Sequence, residues 1–395
     1  MRRFFAPLLA VVMLCLTGLA AQALEVRAAV LRVDYQRLLP ISRYDLKAED
    51  SGFAGAVLAD EDNNTTGRFL GNTYETVTVA TPPEGADAAM AQLLADGIRL
   101  FVVMAEAEDL LRLTKIAAAE GGLVFNASAP DTPLRDQGCN GNLLHIAPSN
   151  QMMTDAVAQF AKWKKWDRWF LIAGSNPADL ALAESYRKSA RKFGAKIVED
   201  RMFPDPGGTR RTDSGHVLVQ RQLPLDTQGA SRHDVVIAAD ATDYFARYLS
   251  YNLWDPRPVM GSGGLRPVAF HGAHEAWGAT QFHTRFEALT RRYVQPDDYN
   301  VWLALRVVGE AVTRAATTDA LAIRDYALSD KFELAAFKGQ KVTFRPWNGQ
   351  LRQPIILYDG MITVSVSPQD GFLHQVSSLD TLGLDQPESA CKAFQ

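Results

Sequence analysis

The feature that most constrains this chain is an alternation of short, branched, apolar runs with longer segments of helical period, which begins at residue 26 and recurs through most of the sequence. Parallel strands need long crossovers and are buried on both faces, so this rhythm points to parallel sheets covered by helices. The first apolar run is 26–33. A helix is expected over 52–62, with Phe53, Ala56 and Val57 on one face, and the polar residues at 63–67 supply a turn to stop it. A strand at 74–79, a helix at 86–96 ended by Gly97, a strand at 98–104, a helix at 107–120 and a strand at 123–126 complete one doubly wound lobe. The rhythm then restarts. Ser149 can cap a helix running to Trp163; strands at 169–173, 196–199 and 234–239 follow, with helices at 178–193, stopped by Gly194, and 243–253. The stretch 204–215 reads as an exposed loop and 259–260 as a short strand before the glycines of 261–264. Further on, 298–316 is an amphipathic helix, and 343–359 reads as a hairpin about Trp347-Asn348-Gly349. The expected fold class is α/β, with two doubly wound, Rossmann-like lobes.

Composition narrows the function. With 47% hydrophobic and 22% charged residues in 395, the chain is globular rather than disordered. A formal charge of −4 without a local basic patch argues against nucleic acid as a partner. Residues 1–23 have the parts of a secretory signal peptide: Arg2 and Arg3, an apolar run from 4 to 19, and Ala21-Gln22-Ala23 as a cleavage site. The run is shorter than the roughly 20 residues of a comfortable span. An uncleaved anchor is the alternative to export; Cys15 follows Leu14, where a lipid-anchored protein wants a small residue. No later stretch approaches 18 apolar residues, so no stable membrane insertion is expected. Without the leader, 372 residues remain with a charge of −6, and two cysteines, Cys139 and Cys391. In an oxidising compartment these are candidates for one disulfide, and two buried thiols are the other possibility.

Motifs for catalysis are missing. There is no His-Glu-x-x-His helix, Gly-x-Ser-x-Gly elbow, phosphate-binding Gly-x-x-x-x-Gly-Lys loop or Cys-x-x-Cys pair, so no enzyme and no cofactor is expected. Ser262 lies in Gly261-Ser262-Gly263-Gly264, a tight strand-to-helix turn without triad partners. His271, His274 and Glu275 are spaced for a metal but fall among glycines, and 60–71 departs from a calcium loop at Thr65 and Gly71. The informative signal is positional. In open α/β sheets ligands bind beyond the carboxyl ends of the strands, here the loops 34–50, 105–109, 126–131, 174–179, 240–243 and 261–264. Facing each other, they would form a cleft for a small molecule.

Several segments carry a resemblance to a known family: Gly55-Ala-Val-Leu-Ala-Asp-Glu-Asp-Asn-Asn with Gly67-Arg-Phe-Leu-Gly, Asn126-Ala-Ser-Ala-Pro, Leu144-His-Ile-Ala-Pro-Ser-Asn-Gln, the 186–194 helix ending, Asp234-Val-Val-Ile-Ala and Asp298-Tyr-Asn-Val-Trp. In order and spacing they resemble the periplasmic substrate-binding proteins of ABC transporters, of the branched-chain amino-acid type. Trp277-Gly278-Ala279, Gln281 with Arg285-Phe286, and Gly371-Phe-Leu-His-Gln to Cys391 resemble the subgroup associated with PQQ-dependent alcohol dehydrogenase systems. The resemblance implies a type I periplasmic binding fold, with hinge crossings near Ala147, Gln281 and Lys341. The N-terminal lobe would comprise 24–147 and 282–340, the C-terminal lobe 148–281 and 341–366, and a tail 367–395, stapled if Cys391 meets Cys139. A permease and an ATPase subunit would be its partners, the periplasm its location and a monomer its state.

Two departures bear on the ligand. Where amino-acid binders hold the ligand carboxylate with hydroxyls and amides, this chain has Ala105-Glu106-Ala107-Glu108-Asp109, and the acid that holds the ligand ammonium aligns with Gly263. What remains is Tyr44, Glu106, Ser128, Ala129, Asp131, Ser175, Asn176, Asp240 and Thr242, a set that suits a neutral polyhydroxy or alcohol-derived compound, or a cation. The rival expectation is a non-transport periplasmic accessory protein that binds a metal ion or the dehydrogenase; an exported hydrolase lacks a nucleophile and base.

Overall fold

The computed structural model describes residues 23–37, 40–205 and 213–394. Apart from Ala23, the leader expected at 1–23, with Cys15, lies outside the described residues, as does the side chain of Tyr44. Strands β1 (Glu25–Val33), β2 (Thr73–Thr81), β3 (Leu100–Met104), β4 (Leu123–Asn126) and β5 (Leu143–His145) form a parallel sheet in the order β2-β1-β3-β4-β5. β3 and β4 are buried along their whole length, which is why they read as continuous apolar runs. Helices α1 (Phe53–Gly67), α2 (Ala86–Ala95) and α3 (Ala107–Ala119) connect them. The turn expected at 63–67 is instead the last part of α1. Asn63 Nδ2 donates to Leu305 O at 2.9 Å, and the Asn64 side chain pairs with both backbone groups of Tyr74. Polar side chains that compete with a helix in isolation have found tertiary partners.

The second sheet is also parallel. It holds β6 (Arg168–Gly174), β7 (Lys196–Phe203), β8 (Val235–Ala239) and β9 (Val259–Gly261) in the order β7-β6-β8-β9. α4 (Asn150–Trp163) begins at Ser149, whose Oγ accepts from Met152 N, and α5 (Pro177–Phe193) ends at Gly194 in the left-handed conformation at φ 72°. The stretch expected as loop at 204–215 already contains the start of α6 (Asp213–Thr227), while 206–212 lie outside the described residues. The helix expected over 243–253 is shorter: a 3-10 turn at Ala246–Tyr248 leads into α7 (Leu249–Asn252).

The rest of the chain passes between the two cores. After β10 (Arg266–Val268), residues 269–278 lead to α8 (Ala279–Thr290), α9 (Pro296–Ala315) and α10 (Ala320–Leu328), all packed in the first core. β11 (Leu334–Ala335), β12 (Lys341–Phe344) and β13 (Leu351–Arg352) pair antiparallel, and Val342, Phe344 and Leu351 are buried in that core. β14 (Ile355–Tyr358) and β15 (Thr363–Ser367) then join β10 in a sheet of three, with Ile355 and Leu357 in the second core. The expected hairpin at 343–359 thus closes at β13, and its last strand belongs to another sheet. Segment 341–352, expected in the C-terminal lobe, packs in the first. Ile356 and Tyr358 pack in the first core, so the three-stranded sheet lies between the two, and among the described residues the chain passes from one core to the other at 147–149, 265–270 and 353–358. Residues in and beside these segments are bonded together: Gln353 Nε2 donates to Ile146 O and Lys338 Nζ to Gln353 Oε1, both at 2.6 Å, and His274 Nε2 to Phe337 O at 3.0 Å. Cys139 and Cys391 form a disulfide across 252 residues of sequence.

Candidate ligand-binding cleft

The carboxyl ends of the two sheets face each other. Asp45, in the loop after β1, accepts from Arg247 Nη2, beyond β8, at 2.8 Å, and Asp243 accepts from Nε and Nη2 of the same guanidinium. This bond across the cleft is set in place from both sides. On the first lobe, Lys47 pairs with Asp297 at 2.8 Å and Arg292 with Asp50 at 2.9 Å, fastening the loop to the start of α9. On the second, Arg247 lies one residue beyond the backbone N–H groups that Asp240 binds.

The first-lobe candidates sit at the ends of β3 and β4. The buried Asn126 side chain clamps its own loop, accepting from Ser128 N at 3.1 Å and Ala129 N at 2.9 Å and donating to Ala129 O. Ser128 Oγ donates to Ala105 O at 3.2 Å, joining this loop to the next. Ala129 is buried, and Asp131 turns its carbonyl to the buried Arg135, which also binds Ala147 O. Burial pushes the Arg135 guanidinium down to about 9. Glu106 precedes α3 and pairs with Arg37 at 3.1 Å, both half-exposed. Its backbone N–H is already used: it donates to Tyr35 Oη at 3.0 Å, and that hydroxyl donates to Asp109 Oδ2 at 2.6 Å. Burial, then the Asp109 bond, hold the Tyr35 phenol well above its ordinary range. Two buried atoms nearby have no protein partner, Ser51 Oγ and Asn300 Oδ1, although Asn300 Nδ2 donates to Ala127 O.

The second-lobe candidates form one network around Asp179, which no motif singled out. The fully buried Asp179 carboxylate accepts from Asn176 N at 3.2 Å, Thr242 N at 3.0 Å and Thr242 Oγ1 at 3.2 Å. A Cβ on Gly174 would come within 2.2 Å of Asp179 Oδ2, so the strand end must be glycine for this carboxylate to enter. Ser175 Oγ accepts from Asp205 N at 3.0 Å. Asp240 is not a free ligand group. Its oxygens accept from the backbone of Tyr244 at 2.9 Å and of Phe245 and Ala246 at 2.7 Å, which is what delays and shortens the following helix. Burial still raises its pKa, against those bonds. Ser262 Oγ accepts from Asp240 N at 2.9 Å, a turn-stabilising role.

The weighed metal residues are engaged elsewhere: His271 Nδ1 accepts from Ala273 N, and His274 bonds Thr363 Oγ1 and Phe337 O. No cluster of three or more metal-ligating side chains occurs among the described residues, and no helix there is long and apolar enough to cross a membrane. Of the candidates, the structure brings Asn176, Asp240 and Thr242 together, and Glu106, Ser128 and Ala129 on the opposite side. Tyr35, Asp45 and Asp179 lie in loops expected at the strand ends without being singled out as candidates, and Arg247 lies outside those loops. Only Asp179 carried a local signal, three residues after Asn176 and behind Pro177.

Two α/β lobes whose strand ends meet at a cleft define a class of bilobal small-molecule binding proteins. Residues 46–243 match the family model described as periplasmic binding protein, and the chain belongs to that family. Its fold is similar to that of a branched-chain amino-acid ABC transporter periplasmic ligand-binding protein from Burkholderia xenovorans, at 17% identity and TM-score 0.72, covering 94% of this chain and 100% of that one. It is also similar to a solute-binding protein from R. palustris in complex with benzoate (13% identity, 93% and 99% covered, TM-score 0.64). A third similar structure is a branched-chain amino-acid transporter substrate-binding protein from Streptococcus pneumoniae in complex with isoleucine (13%, 87% and 98%, 0.63). No curated protein matches the chain by sequence.

Proposed function

We propose that this protein is the periplasmic solute-binding component of an ABC transporter, presenting a small ligand from the interlobe cleft to a permease and its ATPase. Binding proceeds by closure of the lobes, without catalysis. The ligand is not an ordinary α-amino acid. The observation that carries this is the start of α3, where the Glu106 N–H and the Asp109 carboxylate are already satisfied by Tyr35. A ligand carboxylate placed there would compete with a hydroxyl that belongs to the chain. The missing ammonium anchor supports the same reading: a Cβ on Gly263 would lie 2.2 Å from Ala246 O, leaving no room for an acidic side chain. Arg37 offsets part of the charge of Glu106, so repulsion by that carboxylate contributes less than its position alone suggests.

What the loops offer is the hydroxyls of Ser128 and Thr242. They suit a neutral polyhydroxy or alcohol-derived solute that donates hydrogen bonds. The resemblance to the subgroup associated with PQQ-dependent alcohol oxidation leads us to place the protein in such a system, and it sets the ligands to try. Thermal melts against polyols, alcohols and their oxidation products, carboxylates, α-amino acids, PQQ and divalent metals test the proposal. A true ligand at 100 times its Kd adds about 2.7 kcal/mol of stability. Neutral hydroxylated compounds are expected to raise the melting temperature and α-amino acids to leave it unchanged. Tight binding of leucine or isoleucine would overturn the ligand class, and a rise from metals alone, abolished by chelation, would favour the accessory role over transport.

A further inference from the structure

Beyond β15 the chain returns to neither parallel sheet, and its bonds alternate between the lobes. It leaves from the second: Ser367 Oγ donates to Ala156 O and Gln369 N to Gln159 Oε1, both at 3.0 Å. Fully buried Asp380 then accepts from Arg345 Nε at 2.9 Å and Arg352 Nε at 2.8 Å, Arg352 lying in β13 and Arg345 directly after β12. Arg345 also donates to Leu379 O at 3.0 Å. From Thr381 on, second-lobe anchors join those of Arg345, which also donates to Leu382 O at 2.5 Å and Leu384 O at 3.2 Å. Thr381 Oγ1 accepts from Gln159 Nε2 of α4 at 2.8 Å, and the Leu382 side chain enters the second core. Gly383 N donates to Asp155 Oδ2 at 2.8 Å, while Gly383 O accepts from Lys192 Nζ at 2.7 Å. The far end is covalent, Cys391 to Cys139 on the first lobe.

Residues 379–383 therefore hold both lobes, and they lie on the passages between them. A Cβ on Gly383 would lie 2.6 Å from Met152 Cγ, 3.2 Å from Arg345 Nη1 and 3.7 Å from Ser149 Oγ, side chains that flank the passages at 147–149 and 353–358. Rotation of one lobe against the other must either separate Asp380 from its two arginines or draw Thr381 and Gly383 off α4. Most of these groups are buried, so water cannot replace the bonds without opening the strap.

We propose that residues 378–391 form a strap that restricts rotation of the lobes about their passages, with the Cys139–Cys391 bond holding its end. From the solute-binding role this inference takes only the turning of the lobes, and its test uses no ligand. Spin labels at Lys115→Cys on α3 and Lys188→Cys on α5, both exposed, report the interlobe distance by electron–electron resonance. The parent is expected to give one narrow distribution, and C139S/C391S and Asp380→Asn each one at least about twice as wide. Amides of 146–150 should exchange at least about tenfold faster in both variants, while those of β1 and β6 stay protected. Should Asp380→Asn loosen the cores themselves, the double serine variant, which removes no buried ion pair, decides. Equal widths in parent and variants, or a parent already broad, would overturn the strap. Either result leaves the ligand class to the melting panel, and a panel without a hit leaves the strap standing.

Discussion

Asp240 shows how a residue chosen correctly for its place can serve a different purpose there. It lies beyond β8, where ligand groups are expected, yet its carboxylate is committed to three backbone N–H groups. Asp240→Ala should therefore cost about 2 to 4 kcal/mol of stability in urea unfolding, independent of any ligand. Ser128→Ala should do the reverse, changing stability by less than about 1 kcal/mol while weakening the solute found by the panel. Equal affinity in that variant would remove Ser128 from the site. His271 carries a pH prediction. Burial first, then Arg266 and His283, hold its pKa at about 4 against 6.5 in the unfolded chain. As pH falls, the unfolded chain takes up this proton first, so stability present above 6.5 is lost progressively down to about 4. Burial pushes His145 and His274 the same way, whereas it raises Asp60, Asp155 and Asp240 and opposes the trend. The difference between parent and His271→Gln in melts from pH 4 to 8 isolates the histidine, and the variant should lose less stability on acidification.

Among the elements, those read best are the ones whose partners are generic. β4 and α4 have the bounds their apolar pattern and cap imply, because any packed sheet or core accepts such a face. α1 runs past its expected stop, and the 343–359 hairpin splits between two sheets, because Asn63 and β14 answer to partners distant in sequence. The 261–264 turn belongs to this scale. Gly263 faces Ala246 O so closely that Gly263→Ala should cost more than about 1 kcal/mol and shift the turn that starts at Ala246, detectable in melts and in amide exchange at 246–252. A neutral substitution there would mean that the close approach is readily relaxed and that the ammonium anchor was lost for another reason.

In the whole molecule, Arg247 bridges the loops beyond β1 and β8, and the proposed strap lies at the passages. Arg247→Gln leaves Asp45 and Asp243 facing each other without a counter-charge. It should shift the lobes apart and weaken ligand binding by roughly five- to tenfold, about 1 kcal/mol, with the loss shrinking at high salt. The disulfide closes a long loop, so C139S/C391S should cost about 2 to 5 kcal/mol in unfolding, separate from its effect on lobe rotation.

That the chain forms two α/β lobes is legible in its residues, because hydrophobic periodicity and turn residues act locally and report themselves. Which polar groups at the strand ends are already committed follows from contacts distant in the chain. Tyr35 reaches Asp109 across 74 residues, Asp45 reaches Arg247 across 202, and the Asp380 strap joins segments that no local pattern relates. A hydrogen bond consumes a donor or acceptor wherever its partner lies in the chain, so the chemistry left for a ligand is a property of the folded whole.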